Sequence, residues 1–386
     1  MTTVRTIPFG RPWVTEEDQQ AVLAVLQSPV LTHGPQGQLF ETEFSLFLGE
    51  DCFCIAVSSC MAALHLSYLQ MGLGPGDEVI VPAQTHVATV HAVEWVGAHP
   101  VFVDCELHTG NIDVASVEAA ITPHTKAIGV VHFLGIPCDM SGILTIARRY
   151  DLKVVEDCAI ALGARLQKRH VGLFGETGCF SFYPVKHITA GEGGMIVTCD
   201  PDVAQRLNLL RAFGVDRSHG ERVRPGQYDV IALGLNYRMS ELQAALGRSQ
   251  LRRVQDMLDQ RRANFFTLKS LLDAVEDVTV LDAPETDSIN SHYCLSVMLD
   301  GKLGNKRDAL VEKLKQDGVG TSVYYPQPVP RMAYYRQKYG YRPELFPHAE
   351  ALSDQSIAFP VGPHLLPEDI EYIAARFQHA IKETAV

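Results

Sequence analysis

Between residues 51 and 200 the sequence alternates between short apolar runs and longer amphipathic stretches. The amphipathic stretches lie at about 60–71, 86–96, 112–120 and 140–150. The alternation of helices with strands that are apolar on both faces is typical of a mostly parallel sheet between helix layers. The apolar runs are Cys54–Ser58, Glu78–Pro82, Pro100–Asp104, Ala127–Phe133, Lys153–Asp157, Gly178–Tyr183 and Met195–Cys199. The pattern therefore predicts a large α/β domain with a mostly parallel, seven-stranded sheet.

The last third of the chain has a different order of elements. A long helical segment begins near Met239 and continues, with a break, to about Leu272. Such a segment commonly bridges two domains. The elements expected after it are a strand at His292–Met298, a helix at Lys306–Asp317, a strand at Thr321–Tyr325 and a helix at Pro367–Lys382. We therefore expect a large α/β domain over residues 1–260, including an N-terminal arm, and a small α+β domain over residues 261–386.

Charge and cysteine content exclude several classes of protein. The 33 basic and 45 acidic residues give a formal charge of −12. We expect no nucleic-acid partner, because nucleic-acid binding depends largely on neutralising phosphates. The nine cysteines include no C-x-x-C pair, so we expect neither a metal site nor a redox motif. Without the apolar core of a signal peptide or a membrane-spanning stretch, the expected location is the cytoplasm, with no membrane partner.

A carboxylate ends one of the predicted strands. The run Val154-Val155-Glu156-Asp157 places Asp157 at the carboxyl end of a buried strand, where open α/β sheets bind ligands. An aspartate in this position can keep the ring nitrogen of a pyridine cofactor protonated, which makes the ring an electron sink. The alternative interpretation is that Asp157 caps a following helix.

A lysine lies in the connection between the last two predicted strands. Lys186 follows Ser181-Phe182-Tyr183-Pro184-Val185 and precedes a glycine-rich turn, Ala190–Gly194. A lysine that is desolvated in such a place becomes a competent nucleophile toward an aldehyde. The alternative is a surface lysine beside a hairpin turn.

The segment Val57–Leu64 joins a strand to a helix. Its N-terminal amides and helix dipole would suit a phosphate group. No G-x-G-x-x-G follows a strand and no Walker A sequence occurs, which leaves dinucleotide and nucleoside-triphosphate binding unsupported.

The phosphate-binding turn, the aspartate and the lysine occur in the order expected of a fold-type I pyridoxal-phosphate enzyme. The whole chain resembles the DegT/DnrJ-type nucleotide-sugar aminotransferases. The resemblance runs from Ile7–Pro12 through Gly34-Pro35 and Pro82–His86 to Asn236–Met239, and it covers nearly the full length. It implies a pyridoxal 5'-phosphate cofactor, a nucleotide-sugar substrate, L-glutamate as amino donor and a homodimer.

The resemblance also implies roles for single residues. Lys186 matches the lysine that forms the Schiff base with the cofactor, and Asp157 matches the partner of the pyridine nitrogen. His86 falls where the family has an aromatic ring stacked on the cofactor. Asn236 matches a residue that reaches the phosphate bound in the neighbouring subunit, so the implied homodimer has shared active sites.

Further matched positions concern the cofactor phosphate. Ser181, five residues before the lysine, matches a phosphate ligand. Cys60, Met61 and Ala62 lie at the turn whose amides bind the phosphate in the family. The family often has Gly-Thr where this chain has Cys60-Met61, so a hydroxyl contact to the phosphate is missing here.

Two other departures affect the expected contacts of the cofactor and the sugar. The family usually has histidine or glutamine three positions after the aspartate, where this chain has Ile160. It favours histidine where this chain has Tyr324. The isoleucine can offer the cofactor only apolar contact.

The resemblance favours amination at C4 of a 4-keto-6-deoxy sugar and leaves several alternatives. Thr189–Gly194 resembles the T-x-G-E-G-G pattern of members that aminate C4 of a 4-keto-6-deoxy sugar, whereas members that act at C3 more often have N-L-G there. Such enzymes serve the biosynthesis of surface polysaccharides, including lipopolysaccharide, or of glycosides. A pyridoxamine-dependent sugar dehydratase is an alternative, although those relatives have histidine in place of Lys186; here His187 is adjacent. A non-catalytic regulatory protein on the same fold is the remaining alternative.

Overall fold

The computed structural model describes residues 5–49, 51–216, 228–283 and 287–384. The strands within these ranges are β1 (Phe53–Val57), β2 (Glu78–Pro82), β3 (His99–Val103), β4 (Thr125–Val131), β5 (Lys153–Asp157), β6 (Arg165–Leu166), β7 (Arg169–His170), β8 (Thr177–Ser181), β9 (Gly194–Thr198), β10 (Val278–Val280), β11 (Ser288–Ile289), β12 (Leu295–Leu299) and β13 (Ser356–Phe359). The helices are α1 (Glu16–Leu26), α2 (Pro35–Leu48), α3 (Cys60–Gln70), α4 (Val87–Trp95), α5 (Val114–Ala119), α6 (Met140–Tyr150), α7 (Pro201–Arg211), α8 (Glu241–Leu251), α9 (Val254–Leu272), α10 (Arg307–Gln316), α11 (Ala333–Tyr339), α12 (Pro347–Gln355) and α13 (Pro367–Thr384).

The central sheet has seven strands in the order β1-β9-β8-β5-β4-β2-β3. Strands β8, β5, β4, β2 and β3 pair in parallel, and β9 lies antiparallel between β1 and β8. The predicted mostly parallel α/β sheet is therefore confirmed, and each apolar run contributed one strand. Because the five parallel strands point the same way, their carboxyl ends meet at one edge of the sheet.

Helices cover both faces of this sheet, so its central strands are apolar throughout. Apolar side chains of α3 and α4 pack with β1 and β2 in one core cluster, and those of α6 pack with β4 in another. Local capping fixes where these helices begin. Ser59 accepts a hydrogen bond from the Ala62 N–H at the start of α3, and Asp139 accepts one from Gly142 at the start of α6. None of the helices in the described ranges is long and apolar enough to cross a bilayer.

The C-terminal part has its own three-stranded antiparallel sheet, in the order β10-β12-β13. The expected long helix is divided into α8 and α9, and the expected helices α10 and α13 are present. The strand expected at Thr321–Tyr325 was wrong, since only Ser322 forms an isolated bridge there, to Ala358. The sheet uses β13 and β10 instead.

A separate apolar cluster fills this C-terminal part, and in the described residues it includes only Ile7 from outside residues 265–381. The boundary expected at residue 260 lies inside α9, which packs on β10 and β12. The two-domain division of 1–260 and 261–386 stays a proposal that this separate core supports.

Candidate active site

Several of the residues predicted to be functional meet at the carboxyl edge of the central sheet. Asp157 is the last residue of β5, and it pairs with Cys179 of the neighbouring strand β8. The Cys60 thiol, in the first turn of α3, lies 3.7 Å from the carbonyl oxygen of Cys179. The sheet order therefore brings the aspartate and the predicted phosphate-binding turn together.

The carboxylate of Asp157 is buried and held from two sides. The Ala159 N–H donates to Oδ1 at 3.0 Å, and the Thr89 hydroxyl donates to Oδ2 at 2.8 Å. Two short turns follow β5 rather than a helix, so the helix-cap interpretation has no helix to cap. An ionised carboxylate offers about four acceptor sites, so both oxygens retain capacity for a further donor.

Lys186 lies in the connection from β8 to β9, where its N–H donates to the Tyr183 carbonyl at 2.9 Å. Its ammonium nitrogen is 5.3 Å from the centroid of the Tyr293 ring. Burial lowers the pKa of Lys186 below the ordinary lysine value, and the nearby Cys60, Asp157 and Cys294 oppose the shift only in part. A lowered pKa increases the fraction of neutral amine, which is the form that attacks carbonyl carbon.

The first turn of α3 forms a cradle with the beginning of β9. An added Cβ at Gly194 would lie 2.5 Å from the Ser59 carbonyl oxygen, so this close approach requires glycine. Gly194 also pairs with Ser181, which brings that hydroxyl to the same corner. The N–H groups of Cys60 and Met61, at the first two helical positions, have no acceptor within the helix and suit an anion.

Four aromatic rings form a connected group in which Tyr293 contacts the Lys186 amine, and we call His86, Tyr293, Tyr324 and Tyr325 the aromatic wall. The His86 and Tyr325 ring centroids are 5.6 Å apart, and those of Tyr324 and Tyr325 are 5.3 Å apart. The hydroxyls of Tyr293 and Tyr324 are hydrogen-bonded at 3.0 Å. Burial raises the pKa of Tyr293 to about 12, and it raises the pKa of Tyr325 as well. These phenols are therefore neutral near pH 7.

This site belongs to a chain that matches the DegT/DnrJ/EryC1/StrS aminotransferase family over residues 12–378. The spore coat polysaccharide biosynthesis protein SpsC of Bacillus subtilis is 35% identical over 97% of both chains. The chain belongs to the DegT/DnrJ/EryC1/StrS aminotransferase family.

Solved structures agree with this assignment. The Streptococcus pneumoniae protein Spr1654, described as a sugar aminotransferase, has a TM-score of 0.92 and 27% identity over 98% of this chain and all of that one. It has been solved in both its PLP and PMP forms. Helicobacter pylori PseC, an aminotransferase of pseudoaminic acid biosynthesis, also has a TM-score of 0.92 and 27% identity, with the same coverage. The predicted family, fold, cofactor and enzyme class are confirmed: the chain is a pyridoxal-phosphate-dependent sugar aminotransferase.

The residues of this aminotransferase fit pyridoxal phosphate on their own chemistry. The amides of Cys60 and Met61 and the Ser181 hydroxyl would hold the phosphate, Asp157 supplies a buried carboxylate, and Lys186 supplies an amine of lowered pKa. One detail differs from the expected phosphate contacts. The Ala62 N–H already donates to Ser59 Oγ at 3.1 Å, so Cys60 and Met61 are the better amide donors.

Two other predicted site residues, Ile160 and Asn236, lie in surroundings that differ from those of Lys186 and Asp157. Ile160 is 2% exposed and packs in an apolar cluster that also contains Tyr293 and Cys294. Asn236 is exposed, in a segment that bridges to Ala212. The contact of Ile160 with the cofactor and the reach of Asn236 into a neighbouring subunit stay predictions.

Sequence reasoning missed Thr89, Tyr293 and Tyr325. Thr89 lies on α4 and reaches Asp157 across 68 residues of sequence. Helix periodicity does not link it to Thr85, because α4 begins at Val87 after the N-cap His86 and Thr85 lies outside the helix. Tyr293 lies just before β12, and Tyr325 lies just after the isolated bridge at Ser322; no local pattern indicates their positions.

Glu156, next to Asp157, points into a separate buried cluster. His132, Glu156 and Cys158 lie close enough together to suggest a metal site. The oxygens of Glu156 are instead occupied by four N–H donors, namely His132 Nε2, Gly172 N, Phe174 N and Gly175 N. Burial raises the pKa of Glu156, but these hydrogen bonds outweigh it and leave the pKa lowered. Glu156 therefore holds the loop before β8 in place as a buried carboxylate.

Proposed function

We propose that this enzyme transfers the amino group of L-glutamate to C4 of a nucleotide-linked 4-keto-6-deoxy sugar, for surface polysaccharide or glycoside biosynthesis. The observation that carries the proposal is the pairing of a half-buried Lys186 with Asp157, followed by the T-x-G-E-G-G turn. SpsC is named for spore coat polysaccharide biosynthesis and PseC for pseudoaminic acid biosynthesis, which supports a polysaccharide or glycoside product.

The turn after the lysine is shaped by its own threonine. The Thr189 hydroxyl donates to the Phe182 carbonyl at 3.2 Å and accepts from the Gly191 N–H at 2.9 Å. Gly191 has a φ of +79°, which favours glycine. The carbonyl of Glu192 accepts from the Gln243 side chain at 2.7 Å. The motif therefore fixes the backbone that follows Lys186.

The neighbouring histidine argues against the dehydratase alternative. His187 is 4% exposed, and its Nε2 lies 3.1 Å from the Ser291 carbonyl. Burial holds the pKa of His187 well below the ordinary histidine value, so the ring is neutral and must donate this Nε2 proton to the carbonyl. A histidine committed in this way is a poor substitute for Lys186 as a base in the cleft.

Each residue then has a defined task in the transfer. When bound, pyridoxal phosphate supplies the electron sink that makes removal of a proton from the donor carbon possible. Lys186 would hold the cofactor's aldehyde carbon, and its released neutral amine accepts and returns the proton at Nζ. Asp157 keeps a proton on the pyridine nitrogen, and the α3 cradle binds the phosphate. The aromatic wall excludes water from Lys186.

We also propose a homodimer with shared sites. A groove of about 1640 Å³ lies beside α7, and the described residues that line it include neither Lys186 nor Asp157. Leu233 and Ile231, which line it, are 90% and 63% exposed. Exposed apolar surface of this kind commonly marks a protein interface. Asn236, three residues past Leu233, would then lie where a second copy can use it.

The substrate proposal is tested with a panel of UDP-, dTDP- and GDP-linked keto sugars. Each is incubated with the enzyme and L-glutamate, and products are read by mass and by NMR. We expect an amino group at C4 of a 6-deoxy sugar and formation of 2-oxoglutarate. An amino group at C3 would overturn the regiochemistry. Loss of a hydroxyl without amination would support the dehydratase.

A further inference from the structure

A chain of two buried hydroxyls ends on the catalytic carboxylate. The Thr85 and Thr89 hydroxyl oxygens are 2.8 Å apart, and Thr89 Oγ1 is 2.8 Å from Asp157 Oδ2. Both threonines are 0% exposed and Asp157 is 5% exposed. In such a site water does not replace a lost hydrogen bond, so each bond affects the carboxylate directly.

The direction of these hydrogen bonds follows from the number of protons available. An ionised carboxylate can only accept, so Thr89 must donate its single hydroxyl proton to Asp157. The oxygen of Thr89 then accepts a hydrogen bond from the Thr85 hydroxyl. A donor that is itself a hydrogen-bond acceptor is polarised and binds an anion more strongly. The pair therefore acts as a hydrogen-bond relay that strengthens the donor contact to Asp157 Oδ2.

The relay also fixes where the carboxylate points. The only other described donor to the Asp157 carboxylate is the Ala159 N–H, on Oδ1. Thr89 lies in the first turn of α4, whose N-cap is His86. One rigid turn thus carries both the ring expected to stack on the cofactor and the hydroxyl that orients the carboxylate. The positive end of the α4 dipole adds to the stabilisation of an anion there.

We propose that Thr89 is a positioning residue for cofactor chemistry and that Thr85 acts through it. Thr89 orients Asp157 through this hydrogen bond, so that the carboxylate keeps the pyridine nitrogen protonated. This inference rests on the proposed role of Asp157 as the partner of that nitrogen. It adds two residues that touch neither the cofactor nor the sugar.

The test uses the holoenzyme reconstituted with pyridoxal phosphate that carries ¹⁵N at the ring nitrogen. We expect the ¹⁵N resonance of Thr89→Val to move from the protonated toward the unprotonated position. We expect its cofactor dissociation constant to rise about tenfold, because a hydrogen bond to a charged group is lost. Thr89→Ser keeps the hydroxyl and should restore both values. Thr85→Val should give the same changes at about one third of the size, and Thr85→Ser should give none.

Two controls separate the possible failures. Asp157→Asn is measured in parallel: an unchanged ¹⁵N resonance in that variant would overturn the role of Asp157 and the relay together. A changed resonance in Asp157→Asn with an unchanged one in Thr89→Val would overturn the relay alone. Thermal unfolding without cofactor shows whether each variant folds. If Thr89→Val fails to fold, Thr85→Val decides, and a wild-type resonance and dissociation constant in it would refute the proposal.

Discussion

At the carboxyl edge of the central sheet, the chain buries a carboxylate and supplies hydrogen-bond donors to both of its oxygens. Asp157 is 5% exposed, and its two oxygens accept from Thr89 and Ala159. Along the groove beside α7, apolar side chains are exposed instead. Leu233 is 90% exposed, and the guanidinium of Arg238 lies over the Phe213 ring at 5.0 Å, near the surface.

The contrast indicates which parts of the reaction one chain can support. In the proposed mechanism, proton transfer depends on Lys186 and Asp157, and the described donors to the Asp157 carboxylate come from the same chain. In the proposed dimer, the outer side of the phosphate site depends on Asn236, which is exposed beside an apolar surface. Variants of the first region should therefore fail in every assembly, whereas variants of the second should depend on which partner is present.

The largest effect is expected for Lys186→Ala. Removing the amine removes both the covalent attachment of the cofactor and the base, and a general base alone contributes about 10²- to 10⁴-fold. We expect the rate of amino transfer to fall by about 10⁴-fold or more. We also expect the absorption spectrum of the variant to differ from that of the yellow wild type, whose colour L-glutamate bleaches. Borohydride reduction and peptide mapping of the wild type should label Lys186. A label on another lysine would contradict the assignment.

Asp157→Asn should have the next largest effect. The neutral amide cannot hold a proton on the pyridine nitrogen, and loss of one preorganised electrostatic contact costs about 10²- to 10³-fold in turnover. Cofactor should still bind, because the α3 cradle and Lys186 are intact. Steady-state kinetics and cofactor titration measure the two quantities separately. Near-wild-type turnover would mean that the carboxylate serves only the turn at Ala159.

The success and failure of sequence reasoning follow the same contrast. Asp157 and Lys186 could be predicted because parallel strands bring their carboxyl ends to one edge, whatever the rest of the chain does. Tyr293 could not, because it precedes β12, whose placement beside Lys186 depends on the packing of the C-terminal part. The strand expected at Thr321–Tyr325 was wrong. Its β-branched residues favour a strand, but the segment pairs only at Ser322, in one isolated bridge to Ala358.

Local hydrogen bonding explains two smaller differences between the site predicted from sequence and the site in the structure. The α3 turn was expected to offer the Ala62 amide, but the Ser59 side chain takes that N–H first. Serine at an N-cap does this routinely, so the sequence contained the correction. Thr89 carried no such signal by itself, because a threonine in an apolar helix face usually bonds to its own backbone.

Asn236→Ala tests the exposed region. Loss of a hydrogen bond to the phosphate should weaken cofactor binding about ten- to a hundredfold, measured by titration of the cofactor-free protein. Mixing Lys186→Ala with Asn236→Ala protomers should restore activity at limiting cofactor, because one site of each hybrid dimer then has both wild-type residues.

A matched control for the shared site is Leu233→Asp, which places a charge in the exposed apolar surface. We expect it to weaken self-association in sedimentation experiments and to lower activity with it. Full activity of a protein that sediments as a monomer would contradict the dimer with shared sites.

The smallest effect is expected at Ile160, a buried residue at a position where the family usually has histidine or glutamine. The side chain is 2% exposed in the cluster with Tyr293 and Cys294, both of which border Lys186. Ile160→Gln should still bind cofactor and shift the pH at which the lysine-bound chromophore loses its proton, by about half a unit, because one new neutral hydrogen bond contributes about 0.5–1.5 kcal/mol. Burying the amide should also lower the free energy of unfolding by about 1–3 kcal/mol. A spectroscopic pH titration beside Ile160→Leu, which stays apolar, separates the two effects. Superimposable titration curves with reduced stability would mean that residue 160 only packs the core and that the hydrogen bond of the family's polar residue has no counterpart here.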